Sequence, residues 1–174
     1  MLRIHLYYCF TFAARMMKFD HDSIVPYKES ELTKKQQVAE MFNRIAFRYD
    51  FMNRFLSVGT DIGWRKKALK QLAEEKPKVL LDVATGTGDI AIMAYELLKP
   101  DSIIGIDISE KMLEIGKAKV LKLGLEQHIQ LQSGDSEAIN FPSGSFDAVT
   151  VAFGVRNFEH LEQGMEEIKR VLKP

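Results

Sequence analysis

The chain has 174 residues, of which 46% are hydrophobic and 28% charged, a composition typical of a folded domain with one hydrophobic core. Basic and acidic residues number 24 each, so the chain lacks the basic excess of nucleic-acid-binding proteins, and we expect no nucleic acid as partner. A single cysteine, Cys9, excludes an internal disulfide, as is usual in the reducing cytoplasm. The four histidines lack ligand spacing, so we predict no metal site.

The beginning of the chain resembles a short signal peptide, because Arg3 precedes a nearly apolar run at residues 4–14. This run is too short to cross a bilayer, and Met16 and Met17 offer later starts. We interpret residues 1–32 as a tail or an over-extended start, outside the folded part.

Three helices are predicted before the first strand. From Thr33 to Tyr49, apolar residues recur every three or four positions; a second, short helix covers Met52–Leu56 and ends at Gly59. A third helix begins with Asp61 as its cap and stops before Pro77. We predict that residues 33–76 form an N-terminal helical lid.

Strands and helices alternate in the remainder of the chain, which predicts a doubly wound, Rossmann-like parallel α/β domain over residues 77–174. The predicted strands are 79–84, 103–108, 129–133 and 146–153, and the predicted helices are 89–99, 109–123 and 160–171. Ligands of such sheets bind at the carboxyl ends of the strands.

A glycine loop joins the first predicted strand to its helix, with Gly86, Thr87 and Gly88 in the turn. Glycine lets a ligand lie against bare peptide groups there. Asp82 interrupts the apolar strand just before the loop, and a carboxylate in a core strand requires a partner. The glycine pattern also fits a dinucleotide fingerprint, so the loop leaves a nicotinamide cofactor as an alternative ligand.

Three further polar residues bear on the cofactor: Asp107 suits a nicotinamide dinucleotide or any adenosine, whereas Asp135 and Ser136, together with Asp82, favour S-adenosylmethionine. Asp107 follows the second strand, at the spacing of an acid that accepts hydrogen bonds from ribose hydroxyls. Asp135 and Ser136 follow the third strand, where they suit the adenine amine. A dinucleotide would bring its pyrophosphate against Asp82, whereas the ammonium and sulfonium of S-adenosylmethionine are attracted by acidic neighbours.

Four strands leave the fourth as an exposed hydrophobic edge, which proteins ordinarily cover. We therefore expect the sheet to be incomplete and the chain to continue beyond Pro174. An uncovered edge also predicts aggregation or a homodimer.

Several motifs resemble the ubiquinone/menaquinone biosynthesis C-methyltransferase family, over residues 34–174. They are Tyr49-Asp50-Phe-Met52-Asn53 with Leu56-Ser57, Trp64-Arg65, Phe153-Gly154-Val-Arg156-Asn157, and Arg170-Val-Leu-Lys-Pro174. Two positions depart from the family pattern, where Asp61 replaces a histidine and Ala152 replaces a small polar residue.

The resemblance implies cofactor contacts at Thr87, Asp107, Asp135 and Ser136. It also implies C-methylation of a prenylated benzoquinol or naphthoquinol, in the cytoplasm and with peripheral membrane contact, because the substrate is a lipid. For this reaction we assign catalysis to Arg156 and Asn157, which follow the fourth strand. Arg156 would stabilise a quinolate oxygen or orient a water, and Asn157 would hold the geometry.

Substrate contacts are assigned to Tyr49 and Asn53, although an aromatic residue on a helix is more often part of the core, and Asp50 and Asn53 also suit a cap or turn. Three other functions stay open. They are a methyltransferase for another small molecule, a nicotinamide-dependent oxidoreductase, and a non-catalytic protein that binds an adenosyl ligand.

Overall fold

The computed structural model describes residues 25–27, 29–57 and 60–174. Most of the predicted tail, together with Cys9 and Gly59, lies outside these residues. The helices are α1 (Lys34–Leu56), α2 (Thr60–Leu72), α3 (Asp89–Leu98), α4 (Glu110–Lys122) and α5 (Leu161–Val171). The strands are β1 (Val79–Val83), β2 (Ser102–Asp107), β3 (Ile129–Ser133) and β4 (Ala148–Val151), and a 3₁₀ turn covers Val155–Asn157.

The four strands form one parallel sheet in the order β3-β2-β1-β4, which confirms the predicted α/β class. Side chains alternate across β1, so Leu80 is buried on one face of the sheet and Leu81 on the other. The first core packs beneath α3 and α4, while the second includes Phe146, Phe158 and residues of α5. Because both faces are covered, β1 is an apolar run with Asp82 as its one polar member.

The prediction of three helices before β1 is wrong, because α1 runs without a break from Lys34 to Leu56. No glycine or proline separates its two predicted parts, so nothing interrupts the backbone hydrogen bonds. Its predicted start is confirmed, since Thr33 and Gln36 form a reciprocal capping box.

Asp61 does not cap α2 as predicted. It lies in the first turn, is buried, and accepts a hydrogen bond from the Ser57 hydroxyl at 2.7 Å. The helix also ends earlier than predicted, at Leu72, so Pro77 does not terminate it.

Among the described residues β4 lies at one edge of the sheet. Beside it, Phe146 forms a parallel bridge with Leu172, which brings the last residues of the sequence alongside the sheet. None of the helices in the described ranges is long and apolar enough to cross a membrane.

Candidate functional site

The glycine loop follows β1 directly and bends through left-handed backbone conformations. Gly86 has φ +57° and Gly88, the N-cap of α3, has φ +77°. A Cβ built on Gly86 would meet no atom within 4 Å, so the space beside this residue is open. The loop therefore presents bare backbone to a cleft, as the sequence predicts.

Two buried carboxylates flank the loop at the ends of β1 and β2. Asp82 is 1% exposed and accepts hydrogen bonds from the hydroxyls of Thr85 at 2.6 Å and Thr150 at 2.7 Å. Burial raises the pKa of Asp82 to about 6, and the charge of Asp107 adds to this rise, while the two hydroxyls and Arg65 oppose it. Asp82 is thus an acid whose ionisation is sensitive to any cation placed beside it.

Asp107 is oriented by backbone groups of the loops around it. One oxygen accepts the Gly86 N–H and the other the Ser109 N–H, both at 2.8 Å. Burial raises the pKa of Asp107, although these two N–H groups oppose the rise. A carboxylate has about four lone-pair sites, so Asp107 can accept a ligand hydroxyl beside the backbone N–H groups of Gly86, Ser109 and Ile108.

The larger of two adjacent clefts, which we call the main cleft, has a volume of about 660 Å³ including its open mouth. The predicted residues that line it are Tyr49, Gly86, Asp107, Asp135, Ser136 and Asn157. The rest of the lining includes the charged residues Lys35 and Glu137 and several apolar side chains, of which those of Val38, Phe42 and Met112 were not predicted as site residues. The first two belong to α1, so this helix forms one wall.

A second cleft, of about 370 Å³ including its mouth, shares Tyr49, Gly86 and Phe153 with the main cleft. It holds Asp82 and Thr87, as well as Arg65 and Asp89. The two clefts are therefore adjacent across the glycine loop, and both are lined by acids: Asp107, Asp135 and Glu137 in the main cleft, Asp82 and Asp89 in the second.

The loop after β4 is fitted closely against the glycine loop. A Cβ on Gly154 would lie 2.3 Å from the Cβ of Ala84, so only glycine permits this approach. Phe153 has φ +63°, a conformation that costs free energy in a non-glycine residue and is concentrated at functional sites. The Phe-Gly pair of the motif thus has a structural reason, which the sequence alone did not supply.

Asp135 has a partner that the sequence analysis missed. Lys35, in the first turn of α1, places its Nζ 2.6 Å from one Asp135 oxygen and 3.3 Å from Glu137. Burial lowers the pKa of Lys35, but the hydrogen bond and charge of Asp135, together with Glu137, outweigh it and raise the pKa. An adenine amine at Asp135 would have to share this carboxylate with Lys35.

Thr87 is buried and joins the loop to two helices. Its hydroxyl donates to Asp50 at 2.7 Å and accepts from Lys119 Nζ at 2.9 Å. Lys119 also contacts Asp50 at 2.5 Å and Asp89 at 2.7 Å. Asp50 is thus part of an ion-pair network rather than the cap or turn of the sequence analysis, and no sequence signal indicates Lys119.

Arg65 lines the second cleft, and the sequence analysis gave it no role. Its Nη atoms lie 3.4 Å from Asp61 and 3.6 Å from Asp89, and its guanidinium carbon lies 5.6 Å from the Phe153 ring centre. The Nε atom is buried and has no hydrogen-bond partner among the described residues. Such an atom is an unused donor beside the cleft.

Three predicted residues, Gly88, Arg156 and Asn53, lie outside the linings of both clefts as the described ranges form them. Gly88 is buried, and a Cβ built on it would lie 3.1 Å from the side chain of Leu131. Arg156 is exposed, with its guanidinium carbon 6.0 Å from the Phe153 ring centre. Asn53 is half-buried in α1, where its carbonyl accepts the Ser57 N–H. Their roles stay predictions. For metals, the described residues bring one ligand atom each of Glu137, Glu159 and His160 within 4.8 Å of one another.

A parallel sheet in this order, with a glycine turn after β1 and an acid at the end of β2, defines a Rossmann-like α/β protein of the class I methyltransferase type. A SAM-dependent methyltransferase from Aquifex aeolicus superposes with a TM-score of 0.56 at 28% identity, over 63% of this chain and 58% of that one. The [4+2]-cyclase SpnF superposes at 0.67 over 80% of this chain and 57% of its own, but at 20% identity it shows the fold alone.

Sequence comparison identifies the family within this class. The model of the ubiE/COQ5 methyltransferase family matches residues 30–174, so the chain belongs to that family. A demethylmenaquinone methyltransferase of Bacteroides fragilis is 46% identical over 90% of this chain and 64% of its own length. The ubiquinone/menaquinone biosynthesis C-methyltransferase UbiE of Geotalea uraniireducens is 47% identical over 82% of this chain and 62% of its own. The chain thus spans just under two thirds of these relatives.

Proposed function

We propose that this chain binds S-adenosylmethionine across the two clefts and that the whole protein transfers the methyl group to a ring carbon of a prenylated quinol. The observation that carries the proposal is the pair of buried acids, Asp82 and Asp107, on either side of an open glycine turn. The ligand that fits them offers hydroxyls to one acid and positive charge to the other.

The residues present fit the parts of this cofactor. Asp107 would accept the ribose hydroxyls, and Asp135 with Ser136 would meet the adenine edge in the main cleft. Asp82 and Asp89 would face the cationic end of the methionyl group in the second cleft, and the guanidinium of Arg65, which lines this cleft, would meet its carboxylate.

A dinucleotide fits these residues less well than the adenosyl ligand does. Its pyrophosphate would be attracted to the N-terminus of α3. That position is already occupied by the carboxylate of Asp89, the first residue of the helix, which forms ion pairs with Lys119 and Arg65. The carboxylate of Asp82, at the end of β1, would also repel the pyrophosphate.

The relatives' names support a quinone-pathway substrate, demethylmenaquinol or its ubiquinone-pathway equivalent. When bound, the cofactor supplies an electrophilic methyl group. The chain must then exclude water and hold the quinol ring, and the apolar residues Val38, Phe42 and Met112 suit that task. Residues 33–76 would act as the lid over the ring.

Loss of the quinol hydroxyl proton makes the ring carbon nucleophilic. The new carbon–carbon bond forms as the methyl–sulfur bond breaks, and the ring proton is released afterwards. We assign Arg156 to the quinolate oxygen and Asn157, which lines the main cleft, to orientation. Tyr49 and Asn53 are proposed substrate contacts. The substrate is a lipid, so a cytoplasmic protein with peripheral membrane contact is part of the proposal.

The test of the cofactor site is calorimetric titration with S-adenosylhomocysteine. Asp107→Ala should weaken binding by about 1.5 to 3 kcal/mol through the loss of charge-assisted hydrogen bonds. Asp101→Ala, at the exposed other end of β2, is the matched control and should bind as the wild type does. Equal affinity in the two variants would remove Asp107 from the site.

Transfer of an isotopically labelled methyl group by the full-length protein tests the reaction itself. Demethylmenaquinol and a prenylated benzoquinol are compared with a panel of small hydroxyaromatic acceptors. Label on a quinol ring carbon is the expected result, whereas label only on other acceptors would assign a different substrate. Tight binding of NAD, without binding of S-adenosylhomocysteine, would show that the cofactor is a nicotinamide dinucleotide instead.

A further inference from the structure

The C-terminal half of α1 exposes large aromatic side chains on its outer side. Phe47, Phe51 and Phe55 are 94%, 70% and 72% exposed, although phenylalanine is ordinarily buried. They are spaced four residues apart, so they form one line about 12 Å long, and the rings of Phe51 and Phe55 stack at 6.0 Å. Leu56 is 74% exposed at the end of the same helix. We call this line the phenylalanine stripe.

The charges around the phenylalanine stripe are almost all positive. Arg44, Arg48 and Arg54 are exposed and lie on the same half of the helix, within about 60° of the stripe at 100° per residue. Helix α1 has two acids: Glu40 pairs with Arg44 at 3.4 Å, which leaves Arg48 and Arg54 as the arginines without an acid on this helix, and Asp50 points inward to Lys119 and Thr87. An outer face of aromatic and arginine side chains above a packed inner face is typical of helices that lie in a membrane interface.

We propose that the phenylalanine stripe and its arginines dock this protein on an anionic lipid bilayer. The inference deepens the membrane contact of the proposed function by naming the surface and the lipid charge. The stripe lies on the outward side of one helix rather than in a groove, so it suits a flat lipid surface. The opposite side of α1 lines the main cleft, so docking would bring the cleft close to a substrate held in the bilayer.

Charge argues against two other occupants of this surface. A two-fold contact between copies, centred on the stripe, would bring the same arginines together, which is unfavourable. Residues 1–24 of this chain carry Arg3, Arg15 and Lys18 against only Asp20 and Asp22, so they do not supply the negative charge that the arginines require. Anionic lipid headgroups do supply it.

The experiment is co-sedimentation of the full-length protein with vesicles of phosphatidylcholine, with and without phosphatidylglycerol. We expect binding to the anionic vesicles, and a loss of binding in about 0.5 M salt. Substituting Phe47, Phe51 and Phe55 together with Ser should lower partitioning at least about 10-fold. Arg48→Gln with Arg54→Gln should lower it by about 10-fold as well, because each basic residue contributes near the surface.

The matched control is Leu121→Ser with Lys122→Gln on α4, which removes an exposed leucine and a lysine from a different helix. It should bind vesicles as the wild type does. Titration with S-adenosylhomocysteine shows that each variant is folded and keeps its cofactor site, so a failure of docking is distinguished from a failure of the proposed function.

Three results would overturn the inference. In the first, the wild type does not bind anionic vesicles, or the serine variant binds them as well as the wild type does. In the second, light scattering shows a dimer that the serine substitutions dissociate, with no vesicle binding, which assigns the stripe to a second copy. In the third, only a variant without residues 1–24 binds vesicles, which assigns the stripe to that segment.

Discussion

Replacement of Asp82 by asparagine should stabilise the fold, in a manner that depends on pH. Burial raises the pKa of Asp82 from 3.8 to about 6, so its ionised form is less favourable in the folded state than in the unfolded one. This difference in pKa lowers the free energy of unfolding by about 3 kcal/mol at a pH where Asp82 is ionised in both states. An asparagine side chain at this position carries no charge and does not incur this cost.

The direction in which the stability of the wild type changes with pH follows from proton binding by Asp82. Between about pH 4 and pH 6 the folded state holds the Asp82 proton and the unfolded state releases it, so stability falls as pH rises through this window. Above it the difference between the proteins is constant. Because a neutral amide accepts weaker hydrogen bonds from Thr85 and Thr150, part of the gain is lost. We expect Asp82→Asn to be more stable than the wild type by about 1 to 2 kcal/mol at pH 8, and equally or less stable near pH 4.

The assay is urea unfolding followed by circular dichroism at several pH values from about 4 to about 8. Asp147→Asn is a control of opposite sign, because a hydrogen bond from Lys173 and N–H groups of Val79 and Lys78 lower the pKa of Asp147. This control should be less stable than the wild type at pH 7, with a deficit that shrinks as pH falls. An Asp82→Asn protein that is less stable than the wild type by the same amount at every pH would refute the reasoning.

Three further predictions concern the site. Gly86→Ala should lower stability by about 1 kcal/mol, because its φ is positive, and should also weaken S-adenosylhomocysteine binding, because its Cβ enters the open space of the cleft. Lys119→Met should cost about 1 to 2 kcal/mol in urea unfolding, since it leaves two carboxylates without their shared cation. Arg156→Lys in the full-length protein should slow methyl transfer about 10²-fold with unchanged cofactor affinity, because the planar fork is lost.

Two of these changes have a matched control variant, and the third has a control measurement. Gly144 has φ +68° and equally open surroundings, but it lies away from the clefts, so Gly144→Ala should reproduce the loss of stability without the loss of binding. Lys117→Met, exposed on the same helix as Lys119, should change stability by less than about 0.5 kcal/mol. Weaker cofactor binding in Arg156→Lys would move that residue from substrate activation to cofactor support.

The sequence by itself determined the features that depend on neighbours in the chain. The order of strands and helices after Val79 follows from local periodicity, and the strand bounds agree with the structure within a few residues. The glycine turn is predictable because positive φ favours glycine, and the start of α1 because Thr33 and Gln36 are three residues apart. Asp107 is predictable because the end of β2 adjoins that turn in any sheet of this order.

Tertiary structure decided the rest, because the contacts join residues far apart in the chain. Lys35 reaches Asp135 across a hundred positions, and Lys119 meets Asp50 from another helix. In the sequence these lysines look like any solvated lysine, since their pattern on the helix is the same whether or not a carboxylate lies opposite. The phenylalanine stripe illustrates the converse, because periodicity predicts that α1 has apolar residues and only packing decides which of them are left outside.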